Sequence, residues 1–163
     1  MSNGSNFKIT GIITEKELKD LDLLPPKDRL KKGPVVIIEC PEMIPCNICV
    51  SACPFNAISI DEIISIPKVD WNKCTGCAAC VSLCPGLAIF VVDLSKKDKA
   101  LVTLPHEFLP PPKKGDVVKL LGRDGTELGL GEVVRVYERN KTYVVTVSVP
   151  RELAMEVRAI WKK

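Results

Sequence analysis

The sequence predicts an α+β fold in two parts: a pseudo-two-fold unit that carries every cysteine, and a small antiparallel β-barrel-like domain closed by a C-terminal helix. Three observations predict it. Two cysteine runs each end in Cys-Pro, and each is followed by a similar short apolar stretch, Ala57-Ile58-Ser59-Ile60 and Ala88-Ile89-Phe90-Val91-Val92, which marks an internal duplication. The stiff, polar stretch Pro110-Pro111-Pro112-Lys113-Lys114-Gly115 then separates this part from a cysteine-free remainder. In that remainder Tyr143, Val145, Val147 and Val149 alternate with Thr142, Thr146 and Ser148, the pattern of a half-buried antiparallel strand. The divisions are therefore an N-terminal extension with a short helix at 1–34, the duplicated unit at 35–109, a proline-rich linker at 110–115 and the β-domain with its helix at 116–163.

Taken in order, Thr14-Glu15-Lys16-Glu17 is a capping box, and Leu18, Leu21 and Leu24 continue at helical spacing until Pro25-Pro26 stops the helix. Val35-Val36-Ile37-Ile38 reads as a short buried strand running into Cys40. Each half of the duplication then predicts strand, cysteine loop, short helix and strand. Ser95-Lys96-Lys97-Asp98-Lys99 reads as a charged hairpin turn, with Ala100 to Leu104 as the returning strand. Past the linker, Val117 to Leu121, Glu127 to Glu138 and Thr142 to Val149 read as strands, with a turn at Asp124-Gly125 and bulges at Gly129 and Gly131. After Pro150, Leu153, Val157 and Trp161 share a helical face. About fifty residues make a marginal core, so this last domain is expected to lean on its neighbour.

The chain has 163 residues, enough for one domain or for one small domain with an appendage. No basic segment followed by an apolar core opens it, and no apolar run approaches the length of a membrane span, so a soluble, cytoplasmic protein with no membrane span is expected. Thiols stay reduced in that compartment, and the eight cysteines argue for metal ligation over disulfides. The formal charge of +3 counts those thiols as neutral. Thiolates gathered around metal would lower the charge of the loaded chain, so the basicity does not imply nucleic acid. The lone histidine, His106 beside Pro105, reads as an ordinary loop or surface residue. There is no glycine-rich nucleotide fingerprint and no Ser-His or Cys-His pairing, so the chain is not expected to be catalytic alone.

The cysteines carry the chemistry. Cys74, Cys77, Cys80 and Cys84-Pro85 follow C-x2-C-x2-C-x3-C-P, the spacing of two-cluster bacterial ferredoxins, in which the last cysteine of each run ligates the other run's cluster. Cys46, Cys49 and Cys53-Pro54 repeat it, with Cys40 set further upstream. Zinc takes its sulfurs in pairs and gives no reason for three evenly spaced cysteines or for two Cys-Pro endings. The pattern therefore assigns Cys40, Cys46, Cys49 and Cys84 to one 4Fe-4S cluster and Cys74, Cys77, Cys80 and Cys53 to a second. Five residues separate Cys40 from Cys46 where the pattern has two; if Cys40 does not reach, the first site holds a 3Fe-4S cluster. Two residues after each Cys-Pro, where such proteins commonly place Gly, stand Asn56 and Leu87. Asn tolerates positive φ, whereas Leu87 predicts a shifted turn.

The stretch from about Val35 to Leu104 thus resembles dicluster ferredoxins. The flanks are similar to something narrower. Gly11-Ile-Ile-Thr14, Pro26-Lys-Asp-Arg-Leu30, Lys32-Gly-Pro-Val-Val-Ile-Ile-Glu-Cys40, Ile44-Pro-Cys-Asn47 and Val149-Pro-Arg-Glu-Leu-Ala-Met-Glu-Val-Arg158 resemble the ferredoxin-like small subunit of FAD-dependent amine or amino-acid dehydrogenases of the proline, hydroxyproline and hydrogen-cyanide-synthase-like kind. That resemblance implies a subunit of a hetero-oligomeric oxidoreductase. It would take electrons from FAD in a partner dehydrogenase, beside a further subunit with a 2Fe-2S cluster, and pass them to a downstream acceptor.

Two other readings stand beside it. One is a free-standing dicluster ferredoxin. The other makes the C-terminal β-domain a nucleic-acid or peptide binding module, using Lys113, Lys114, Lys119, Arg123, Arg135, Arg139 and Lys141. Asp116, Asp124, Glu127, Glu132 and Glu138 are interleaved with these, and aromatics for stacking are few, so a solvated surface is the plainer reading and no nucleic acid is expected.

Overall fold

The computed structural model describes residues 6–162. In chain order the elements are α1 (Phe7–Thr10), α2 (Glu15–Asp20), α3 (Lys27–Leu30), β1 (Val35–Ile38), α4 (Ile48–Ala52), β2 (Ile58–Ser59), β3 (Lys68–Val69), a 3-10 turn at Val81–Leu83, β4 (Ile89–Asp93), β5 (Lys99–His106), β6 (Val117–Leu121), β7 (Glu127–Arg139), β8 (Thr142–Pro150), a second 3-10 turn at Arg151–Leu153, and β9 (Ala159–Trp161). Among the described residues no helix is long and apolar enough to cross a membrane.

The capping box forms as its residues predict. Thr14 Oγ1 accepts the Glu17 amide at 3.2 Å, and the Glu17 carboxylate accepts the Thr14 amide at 2.9 Å. Glu17 also accepts the Phe7 amide at 3.0 Å, tying α1 to α2. The helix is shorter than the leucine spacing predicts. Leu18 is buried, as its spacing predicts, but Asp22 turns left-handed at φ 54°, leaving Leu21 exposed and burying Leu23 in its place.

The two halves of the duplication correspond element for element: β1, α4, β2 and then β3, the first 3-10 turn, β4. They exchange strands. β1 pairs antiparallel with β4 and β2 with β3, so the first strand of each half lies against the last strand of the other. All four β1 residues are buried because both faces of that strand are covered, which is why it reads as an unbroken apolar run. Val35 and Ile37 join Phe90, Val92, Val102 and Leu104 on one face of the sheet. Val36 and Ile38 join Ile89, Val91, Cys49, Cys80 and Val81 on the other. Each such side chain contributes about 1.5–3 kcal/mol on burial.

The strands of residues 116–162 continue that sheet instead of standing apart as a domain of their own. The antiparallel order is β1-β4-β5-β8-β7-β6-β9, and β5 pairs with β8 from Lys99↔Pro150 to His106↔Tyr143 across the proline-rich segment. Val118, Leu120, Val145, Val147, Val149, Val157 and Ile160 sit in the same core as Val35 and Phe90. The physical reason is size: so few residues cannot bury enough apolar surface alone, and the exposed edge of β5 offers a partner.

The C-terminal helix expected after Pro150 is absent among the described residues. A 3-10 turn is followed by β9, which pairs with β6 through Lys119↔Trp161, Leu120↔Ile160 and Leu121↔Ala159. The alternation of Leu153, Met155 and Val157 competes with their helical spacing, and covering the β6 edge decides the outcome. Trp161 ends up half-exposed while Ala154, Val157 and Ile160 are buried. In β6 and β7 one irregularity lies between Leu120 and Leu121, beside Gly129 at φ 148°, and another between Val133 and Arg135; Gly131 pairs regularly with Val118.

Candidate iron-sulfur centre

One cavity is lined by Cys53, Cys74, Cys77 and Cys80, and holds about 320 Å³ of atom-free space with its mouth included. Positive φ at Gly76 (67°) and Ala78 (62°) curls the loop from Cys74 to Cys80 tightly. Amides face sulfur here: Val36 N–H donates to Cys74 Sγ at 3.4 Å and Ala57 N–H to Cys53 Sγ at 3.3 Å. The loop is fixed from behind by Arg29, whose guanidinium donates to the carbonyls of Trp71 (2.7 Å), Cys74 (2.7 Å), Pro34 (3.1 Å) and Gly33 (3.2 Å). Trp71 Nε1 donates to the Val36 carbonyl at 3.2 Å, anchoring the same loop to β1. Burial, followed by the neighbouring Cys74 and Cys77, pushes the Cys80 thiol up to about 12.

A second cavity, with about 400 Å³ of atom-free space, is lined by Cys40, Cys46, Cys49 and Cys84. Burial pushes the Cys49 thiol up to about 11, with Cys84 next in effect, and burial, Cys84 and Cys46 raise Cys40. The cysteines cross over between halves. Cys53, at the end of α4, faces the cavity of the second run, and Cys84, after the first 3-10 turn, faces that of the first. Both Cys-Pro turns have one geometry: Asn56 has φ 50° and Leu87 φ 52°, and their amides return to the carbonyls of Cys53 and Cys84 at 3.4 and 3.2 Å. The shifted turn expected at Leu87 is therefore not found; leucine takes the left-handed conformation, at a local cost of about 1–2 kcal/mol.

The residue preceding Cys40 sits in a buried charge network. Glu39 accepts from Arg123 Nε (2.9 Å) and Nη2 (2.7 Å) and from Arg158 Nε (2.7 Å). The side chains of Glu39, Arg123 and Arg158 are 5%, 8% and 4% exposed. Burial pushes the Glu39 carboxyl up, but the Arg123 hydrogen bond and the charges of Arg158 and Arg123 prevail and hold it below the usual range. The sequence reading assigned no role to Glu39, Arg158 or Arg29, and it counted Arg123 only among surface charges. The one local signal was an acidic residue directly following a fully buried strand.

The donor set fits iron-sulfur clusters: soft thiols around cavities with space between the sulfurs, and amides directed at sulfur. Among the described residues no three His, Cys, Asp or Glu side chains are gathered so as to hold a single metal ion. The roomier grooves lie elsewhere, one with about 1110 Å³ of atom-free space between Ile12–Lys16 and the Gly122–Thr126 turn, and have no cysteine in their walls.

His106 is not at the surface. It is 4% exposed at the end of β5, packs edge-on against Phe108 at 5.7 Å, and its Nε2 has no hydrogen-bond partner. Burial lowers its pKa, with Glu107 and the Phe108 backbone opposing. The folded state thus refuses a proton that the unfolded chain accepts below about pH 6.5. Stability falls as pH drops through that value until the lowered folded pKa is reached. Urea unfolding at pH 8 and pH 6 is expected to show this loss, and His106→Gln is expected to reduce it; an unchanged pH dependence in that variant would contradict the assignment.

Residues 44–88 match the 4Fe-4S dicluster domain family and residues 68–119 match a 4Fe-4S single cluster domain family. No curated protein and no solved structure matches the chain. The dicluster match contains Cys46, Cys49, Cys53, Cys74, Cys77, Cys80 and Cys84, while Cys40 precedes both matches. These matches, together with two cysteine-lined cavities beside one sheet, support a ferredoxin-type iron-sulfur domain in the cysteine-bearing part of the chain and an electron-transfer role.

Proposed function

We propose that this chain is an electron-transfer subunit with two 4Fe-4S clusters, one on Cys40, Cys46, Cys49 and Cys84 and the other on Cys74, Cys77, Cys80 and Cys53. The observation that carries this reading is the crossing of Cys53 and Cys84 into each other's cavities, which ties both sites to one rigid core. Bound clusters would supply one-electron chemistry. The chain's own residues hold the sulfurs, exclude water with Val36, Ile38, Ile89 and Val91, and aim amides at sulfur. The raised Cys49 and Cys80 thiols must lose protons on loading.

The electron donor in this reading is a partner subunit carrying FAD and acting on an amine or amino acid, with a 2Fe-2S subunit as a further member of the complex. Exposed apolar residues cluster in sequence around the first cysteine set, with Met43 66%, Ile44 47%, Ile48 41% and Ile63 56% exposed, and Ile44 and Ile48 line its cavity. Such residues suit a face covered by another protein. The test is anaerobic purification of the native protein, with iron, sulfide and flavin quantified in whatever co-purifies. About eight irons per chain and stoichiometric flavin are expected. Eight irons in a flavin-free monomer would leave a free-standing ferredoxin, and about two irons or none would overturn the cluster reading.

A further inference from the structure

We propose that Glu39, gripped by Arg123 and Arg158, is a positioning residue that delivers Cys40 to the first cysteine set across its longer spacing. This rests on the reading of Cys40 as a cluster ligand. The corresponding cysteine of the second run, Cys74, lies in a tight loop: its amide returns to Asp70 at 3.2 Å, and Arg29 holds its carbonyl. Five residues separate Cys40 from Cys46, and among the described residues its own amide makes no such return, although the Glu42 amide reaches its side chain. Its backbone is held from the other side.

That side is Glu39. Its amide donates to the Ala88 carbonyl at 2.8 Å, which continues the β1–β4 pairing by one residue, and its carboxylate takes three hydrogen bonds from two arginines. Arg123 is in turn fixed by the Met155 carbonyl at 2.7 Å and by Glu156 at 3.2 Å. Arg158 is fixed by the carbonyls of Ala154 and Val157, by its own amide on the Leu121 carbonyl, and by the Phe90 ring 5.0 Å below its guanidinium. One peptide unit from Cys40, the chain is thus immobilised by residues 121–158. Each cluster site has an arginine-based support at its first cysteine, and the two supports share no residue. A fault in one should therefore affect one site alone.

The experiment uses the full chain, purified anaerobically with whatever partner accompanies it. Iron per chain is measured, and electron paramagnetic resonance of the ferricyanide-oxidised protein reports three-iron species. Cys40→Ala is the reference, expected to give about seven irons and a three-iron signal. Glu39→Gln keeps the shape but not the charge. It is expected to reproduce that signal, with iron loss to a chelator about 10–100-fold faster from the first site and unchanged from the second. Arg123→Lys, a second variant that keeps the charge, is expected to show a weaker form of the same selective loss.

Circular dichroism checks folding in each case. If Glu39→Gln and Arg123→Lys fold with eight stable irons while Cys40→Ala loses one, the positioning role is overturned and the ligand reading stands. Parallel loss from both sites would also overturn it, because a general loss of stability is not selective. Eight irons in Cys40→Ala would overturn the ligand reading and this inference with it.

Discussion

Gly76→Val is expected to empty the second cysteine site and leave the first loaded, taking iron from about eight to about four per chain. Two separate costs act at this position. Gly76 has φ 67°, a conformation that costs an L-residue about 1–2 kcal/mol. A Cβ there would also lie 2.5 Å from Pro34 Cβ and 2.7 Å from the Pro34 carbonyl carbon and oxygen. Backbone cannot swing aside as a side-chain tip can, so either the loop from Cys74 to Cys80 or the segment entering β1 must move. Overpacking of this kind costs about 1–3 kcal/mol, and the two terms together give about 2–5 kcal/mol. Arg29 holds both sides, so the loop gives because Pro34 leads directly into the buried β1, which is paired with β4 from Val35 onward. Gly11→Val is the control, because φ is 74° but nothing lies within 4 Å of the added Cβ. That variant is expected to lose only the backbone term and to keep all its iron. Full iron content in Gly76→Val, with urea stability matching the control, would refute the account.

What could be read from the sequence is what neighbours along the chain decide. The capping box, the buried β1 run, the hairpin at Ser95 to Lys99 and the alternation from Thr142 to Val149 all rest on periods of two or 3.6 and on short turn signals. The cysteine runs are legible for the same reason, since a loop that wraps a cluster has a fixed length. Misread were the features that depend on residues far away in sequence. Nothing local in Lys99 to His106 announces that it pairs with Thr142 to Pro150, and that pairing merges the expected β-domain into the first sheet. The stretch after Pro150 carries two periods at once, and the unpaired edge of β6 selects the extended one. Leu87 takes a glycine-like conformation because the duplicated Cys-Pro turn imposes it from both ends. The largest omission is electrostatic: Glu39 meets Arg123 and Arg158 across 84 and 119 residues. Surface charges and buried ones look alike in a sequence.

Those three side chains also carry the largest expected stability effect. Glu39→Leu leaves two arginines facing each other in the interior, 8% and 4% exposed, with their shared counter-charge gone. Removing one partner of a buried ionic group typically costs 3–5 kcal/mol, because the remaining charge is desolvated without compensation. Arg158 is already the least relieved of the three: burial lowers its pKa, and its Nη2 has no hydrogen-bond partner. Arg123 keeps Glu156, half-exposed at 47%, and would fall back on that weaker pair. A large loss need not mean that the intact network stabilises the fold strongly, since assembling it required desolvating all three groups. The triple variant Glu39→Leu, Arg123→Met, Arg158→Met separates these possibilities. It removes every charge, fills much of the same volume, and is expected to recover most of the stability lost in Glu39→Leu alone, as read by urea unfolding of the iron-loaded protein. Recovery of stability without recovery of the first cluster would assign the network to cysteine placement and not to holding the sheet together. A single Glu39→Leu variant within about 1 kcal/mol of the unmodified protein would show that water or a rotated arginine compensates the lost charge, and the buried network would then not be what holds the sheet together.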